Sequence, residues 1–167
     1  MDYLNQDHPS LRYSETLRSY AVHQLLERGL RCSHSFRIQF DRLRLERVIG
    51  RESFSKLMPE FCSGIAPDAA TYDIYEGPLN EDKIAILRRI LSIASEGYPE
   101  RPLNYIKSVR LLDQEYRTIL RGGDHNAFIL FDLPEPERTA LVEVYRQHYI
   151  PENVIEQVDV DVERLEP

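Results

Sequence analysis

The residues best suited to chemistry stand together: Asp124, His125 and Asn126 follow Gly122-Gly123 and precede Ala127-Phe128-Ile129-Leu130-Phe131, a run closed by Asp132. A histidine beside carboxylates is the pairing used in general acid–base catalysis, where imidazole moves the proton and aspartate orients it. His125 is therefore the candidate acid/base, with Asp124 or Asp132 assisting. Adjacent residues rarely hold one another in that geometry, so such a site needs further groups from elsewhere in the fold. The same residues also make a good turn, with glycine for backbone freedom and Asp and Asn for side-chain-to-backbone hydrogen bonds. The turn is the simpler explanation. No G-x-S-x-G, Walker A, G-x-G-x-x-G or H-E-x-x-H motif occurs, and Gly122-Gly123 lacks the lysine of a phosphate loop.

Two charged arrays are further candidates. Asp159, Asp161 and Glu163 alternate with valines, which places the three carboxylates on one face of an extended chain. They suit a hard cation, a solvated sheet face or a contact with a basic partner. Hard-ion sites gather oxygens from several loops, so neither a metal nor any other cofactor is expected here. Arg44, Arg47 and Arg51 recur at i, i+3 and i+7 and would line one stripe of a helix. Guanidiniums so spaced can grip phosphate, nucleic acid or an acidic protein, or simply face water. The two arrays have opposite sign and invite pairing within the molecule or between copies of it. Cys32-Ser-His34 offers two ligands, too few to close a zinc site, and Cys62 stands alone. Both cysteines are expected as packed, reduced thiols.

Charge narrows the partners. The net charge is −7. It is +3 over residues 1–51, −3 over 52–131 and −7 over 132–167. An acidic final third repels phosphate, which makes nucleic acid a poor principal partner. The first residues have neither the basic flank nor the apolar stretch of a signal peptide. No run approaches the roughly 18 apolar residues of a membrane span. A cytoplasmic location, with no membrane contact, follows as an expectation.

These residues need elements to hold them. Apolar residues at spacings of three and four predict a helix over 10–28, stopped by Gly29. Phe36, Ile38 and Phe40 alternate with polar residues and predict a strand over 35–41. A short helix capped by Asp41 and closed by Gly50 should follow, with Arg44, Arg47 and Arg51 on its outward stripe. The stretch 59–79 is rich in Pro and Gly and reads as loops, with a short strand near Thr71–Glu76. Asn80 caps a strongly apolar helix that ends at Gly97. Over 102–121 the spacing of Ile106, Val109, Leu112, Tyr116 and Ile119 favours a helix. The competing reading is a strand over 115–121 in a hairpin with 127–132, and the sequence does not decide between them. The run 127–132 reads as the central buried strand, and a helix from Pro134 to about Tyr149 leads to a last strand over 154–163. That strand–helix–strand succession permits a right-handed crossover between parallel strands, with an antiparallel return as the alternative.

The expectation is one α+β domain over residues 1–167, with about four principal helices on a small sheet of strands near 35–41, 127–132 and 154–163. A chain this long buries a core without staples. For function, the absence of a catalytic motif favours a non-catalytic protein-binding module: an inhibitor, adaptor or immunity-like regulator. Its contact residues would be Asp159, Asp161 and Glu163, with Arg44, Arg47 and Arg51, and its partner a basic protein or a second copy of the chain. The alternatives are a small enzyme using His125 and phosphate or nucleic-acid binding through the arginine stripe.

Overall fold

Local signals in the chain set most of the element boundaries. The computed structural model describes residues 1–61, 72–97, 105–123 and 128–160. Within them run β1 (Asp2–Leu4), α1 (Pro9–Arg12), α2 (Glu15–Cys32), β2 (Ser35–Asp41), α3 (Arg42–Ile49) and α4 (Arg51–Phe61). There follow β3 (Tyr72–Pro78), α5 (Glu81–Gly97), β4 (Ile106–Leu112), β5 (Thr118–Gly123), β6 (Phe128–Phe131) and α6 (Glu135–Gln147), then a 3-10 turn (Glu152–Val154) and β7 (Ile155–Gln157). The fold is α+β. The seven strands form one sheet in the order β3-β2-β4-β5-β6-β1-β7, with every pairing antiparallel.

Caps and glycines account for much of this. The Ser14 hydroxyl accepts from Leu17 N–H and starts α2 two residues beyond α1, so the helix expected over 10–28 is two helices. Gly29 does not stop it. A Cβ there would lie 3.0 Å from Leu111 Cδ1 and 3.3 Å from Leu120 Cδ1, so glycine instead lets α2 approach β4 and β5 and continue to Cys32. Asp41 accepts from Arg44 N–H and starts α3, and Gly50, at φ 84°, ends it, both as expected. Asn80 accepts from Lys83 N–H at 2.9 Å and starts α5. The loop-rich stretch resolves at its two ends into α4, with Pro59 inside it, and into β3.

Three expectations are corrected. The favoured helix over 102–121 is two strands, β4 and β5, joined by a turn in which Asp113 Oδ1 accepts from Glu115 and Arg117 N–H. The competing hairpin holds: Leu120 pairs with Phe131 across β5 and β6. The strand–helix–strand succession does run between parallel strands: β6 and β7 are each antiparallel to β1, which lies between them, so α6 links two parallel strands across it. The last strand spans three residues rather than ten, with Asp161 and Glu163 outside the described residues. The small sheet is thus a seven-stranded one, bearing six described helices, and β5 rather than β6 is its middle strand.

One face of the sheet makes the core. Phe36, Leu111, Leu120 and Phe131 lie side by side across four strands, all buried. Asp2 is next in that row, opposite Phe131, and so its carboxylate is carried toward the helices. Arg138 of α6 meets it there, with Nε at 2.7 Å from Oδ2. α6 runs antiparallel to α2. Tyr145 donates to the Ala21 carbonyl at 2.7 Å, and Arg28 pairs with Glu137 at 3.0 Å. Arg88 of α5 reaches both carboxylate oxygens of Glu27, which ties the third large helix to α2. A crevice between α2, α5 and the sheet is walled by Leu26, Leu30, Ile38, Phe40, Leu87 and Ile90. It holds about one water-sized guest and has no polar group to orient a substrate.

Candidate functional site

The catalytic candidates do not assemble into a site among the described residues. Asp124 and His125 lie outside those residues. Asp132 is exposed just after β6, where its backbone N–H donates to the Ile119 carbonyl at 2.9 Å. The double glycine ahead of them is not built for positive φ. Instead, the Phe128 ring packs over Gly123 so closely that an added Cβ would fall 2.5 Å from it. Cross-strand packing of an aromatic on glycine explains Gly123 without any ligand.

Other titratable groups have structural work. His8 Nδ1 accepts from Ser10 N–H and caps α1. His23 is lowered to about 4 by burial, so it stays neutral near pH 7. The Cys32 thiol bonds to the Arg28 and Gly29 carbonyls, and burial, aided by the Glu137 charge, pushes it up to about 11. That is a packed thiol and a poor nucleophile. Cys62 lies outside the described residues. Among the described residues no three His, Cys, Asp or Glu side chains are grouped to hold a metal. None of their helices is long and apolar enough to cross a membrane.

The arginine stripe is broken. Gly50 separates α3 from α4, so Arg51 belongs to a different helix from Arg44 and Arg47. Arg44 is drawn to Asp41 at 3.1 Å, and Arg51 lies 3.9 Å from Glu46. Of the carboxylate comb, Asp159 is described and exposed, but it follows β7 instead of lying on a strand, and Val160 beside it is also exposed.

Two groupings emerge that the sequence alone did not single out. The first surrounds the end of α6. Tyr149 is 92% exposed and adopts φ 60°. It occupies the position after the cap residue His148, and Ile150 N–H closes the helix end onto the Tyr145 carbonyl. Glycine is the usual occupant there, because a Cβ in the left-handed region costs about 1 kcal/mol. Beside it, Tyr20 lies with its hydroxyl 3.0 Å from His148 Nδ1 and its ring 4.1 Å from the imidazole. The chain that follows exposes Glu152, Glu156 and Asp159. Glu156 accepts from Asn5, and its charge and that of Asp7 add to burial in raising the Tyr3 hydroxyl.

The second grouping crosses the whole sheet on the side away from the described helices. Glu76 faces Arg37, Arg37 faces Arg110, and Arg110 faces Arg121. Arg121 faces Leu130, Leu130 faces Tyr3, and Tyr3 faces Glu156. Each of the seven strands contributes one residue to this row. Three arginines stand side by side on adjacent strands. Arg110 donates to Thr118 Oγ1 at 3.2 Å, and Arg37 reaches Glu76 at 3.6 Å. No single segment encodes the row, since it depends on the register of strands far apart in sequence. Tyr149 did carry a local signal: a tyrosine at the end of a helix, two residues before proline, where glycine or asparagine is usual.

No family model, no curated protein and no solved structure matches this chain.

Proposed function

We propose that this chain is a non-catalytic protein-binding module, an inhibitor, adaptor or immunity-like regulator, that meets a basic partner through its acidic C-terminal surface with Tyr149 as the aromatic anchor. The observation that carries the reading is Tyr149 itself: a bulky side chain left 92% exposed in a backbone conformation that glycine would adopt without strain. A residue that costs stability and packs against little of its own fold is explained by what it packs against elsewhere. Tyrosine supplies large contact area at low entropic cost and is enriched where interfaces concentrate their energy. Glu152, Glu156 and Asp159, exposed along the following segment, would steer a basic surface toward it.

The test sets stability against binding. Tyr149→Gly should raise the unfolding free energy by up to about 1 kcal/mol, because the helix end relaxes. It should also abolish capture of a stoichiometric basic protein from the source lysate. Glu152→Gln with Glu156→Gln should weaken that capture most at low salt. A Tyr149→Gly protein that is less stable than the parent, or that captures the same partner as well, overturns the reading.

A further inference from the structure

We infer that the outer edge of β7 is a strand-addition site, and that its occupant is an extended basic segment of the partner, laid antiparallel to β7 as a further strand of the sheet. The inference rests on the reading of a basic partner and names the way that partner is held. Bonds between β1 and β7 fix which backbone groups are committed. Val158 N–H donates to the Met1 carbonyl at 3.0 Å, and Asn5 N–H to the Val154 carbonyl at 2.8 Å. Alternation along an antiparallel ladder then turns the backbone of Glu156 toward Tyr3 and that of Ile155, Gln157 and Asp159 outward. The Ile155 N–H is taken by the Glu152 carbonyl in the turn before β7. The Ile155 carbonyl, both backbone groups of Gln157 and the Asp159 N–H stay open, with no hydrogen bond among the described residues. An antiparallel segment fills all four. One of its residues exchanges both bonds with Gln157, and the residues two before and two after it serve Asp159 and Ile155.

Charge selects the occupant. Glu156 and Asp159 are exposed along this edge, and Glu156 is held there by Asn5 at 2.6 Å. The incoming residues that face them across the new ladder are three positions apart, and both places suit lysine or arginine, because opposite charges facing across strands attract. Between them, one side chain falls beside half-buried Val158 and takes an apolar residue. An open strand edge invites pairing with any chain, and charge is a common guard against it. A second copy is the poorest guest here. Pairing β7 with itself about Gln157 brings Glu156 and Asp159 of both molecules into one seam, on a chain whose net charge is −7. The acids that repel a copy draw a basic strand.

The experiment uses the full-length protein, isotope-labelled for amide spectra, and short Thr/Val peptides with lysines at the two positions that face Glu156 and Asp159. One peptide is N-methylated at the residue opposite Gln157, which removes the N–H that the Gln157 carbonyl accepts. A second is N-methylated at the next residue, whose N–H points away from β7. The first modification should weaken binding tenfold or more and the second less than threefold, with amide shifts centred on Gln157 and Asp159. Gln157→Pro should weaken the unmodified peptide tenfold or more yet keep the parent melting temperature, because the N–H it removes has no partner in the fold. Equal affinity for the two methylated peptides, unshifted Gln157 and Asp159 amides, or a glutamate-for-lysine peptide that binds as well each overturns the proposal. So does a Gln157 amide already protected from exchange in the free protein, since a second copy or the chain's own residues 161–167 would then hold the edge. Lysate capture separates this inference from the reading beneath it. Capture lost in Tyr149→Gly but intact in Gln157→Pro overturns strand addition alone, whereas capture intact in both variants overturns both.

Discussion

His23 lies half-buried on α2, and burial lowers it to about 4. Its ordinary value near 6.5 returns when the chain unfolds. Between those values the unfolded chain binds a proton that the folded chain refuses. The stability this residue permits is thus complete above about pH 6.5 and is lost as pH falls toward about 4. At about 1.4 kcal/mol per pH unit the ceiling is about 3 kcal/mol, and partial exposure brings it nearer 2. Urea unfolding at pH 7.5, 5.5 and 4.5 should show His23→Leu losing less stability than the parent across that range. Parallel pH profiles would count against a buried, neutral imidazole. At this scale the sequence was readable where a residue acts on its near neighbours: Asp41 and Asn80 cap. It misled where the neighbour is distant. Gly29 resembles a helix stop, yet it is fixed by Leu111 and Leu120, on strands whose residue spacing imitates a helix.

Two-period alternation marked β2 and three-to-four spacing marked α5 and α6, because each of these elements buries one clean face. The stretch 106–121 did not. Val109 points into the core, Leu112 is half-buried and Tyr116 is exposed in the turn at φ 62°, so the apparent helical stripe mixes both sheet faces with a loop. A bulge between Leu111 and Leu112 further disturbs the alternation. At three residues β1 is too short to show any period, yet it joins β6 to β7. Its attachment to the helices passes through the Asp2–Arg138 pair, whose carboxylate is nearly buried. Removing the arginine strands that charge, so Arg138→Ala should cost about 3 kcal/mol. Asp2→Ala/Arg138→Ala together should cost clearly less than the two single losses summed. Denaturant melts of the four proteins measure the coupling, and strict additivity would mean that the pair does not act as a unit.

The whole molecule combines a local sheet with a distant closure. β4, β5 and β6 form a meander of consecutive strands, on which α2 sits through Gly29. β1 and β7 join the chain's two ends: Asn5 and Glu156, bonded to each other, are 151 positions apart. Loop closure makes such a contact entropically expensive until the intervening chain has collapsed, so the meander should form first and the β1–β7 edge last. Leu120 and Leu4 test this fairly, because both are leucines with 0% exposure and either truncation to alanine should cost roughly 2–5 kcal/mol. Leu120 packs between Leu111 and Phe131 in the meander, whereas Leu4 lies on the strand that closes the sheet. In stopped-flow chevrons, Leu120→Ala should slow folding about tenfold or more, while Leu4→Ala should leave the folding rate within about threefold and take its cost as faster unfolding. Equal slowing by both would place the terminal edge in the folding nucleus. The predicted order also bears on function. Glu156 and the segment around Asp159 lie on the late, least anchored edge, and Tyr149 sits just before it at the end of α6. The edge and the meander should therefore differ in hydrogen exchange, with β7 amides opening well below the global unfolding free energy and those of β4 and β5 opening close to it.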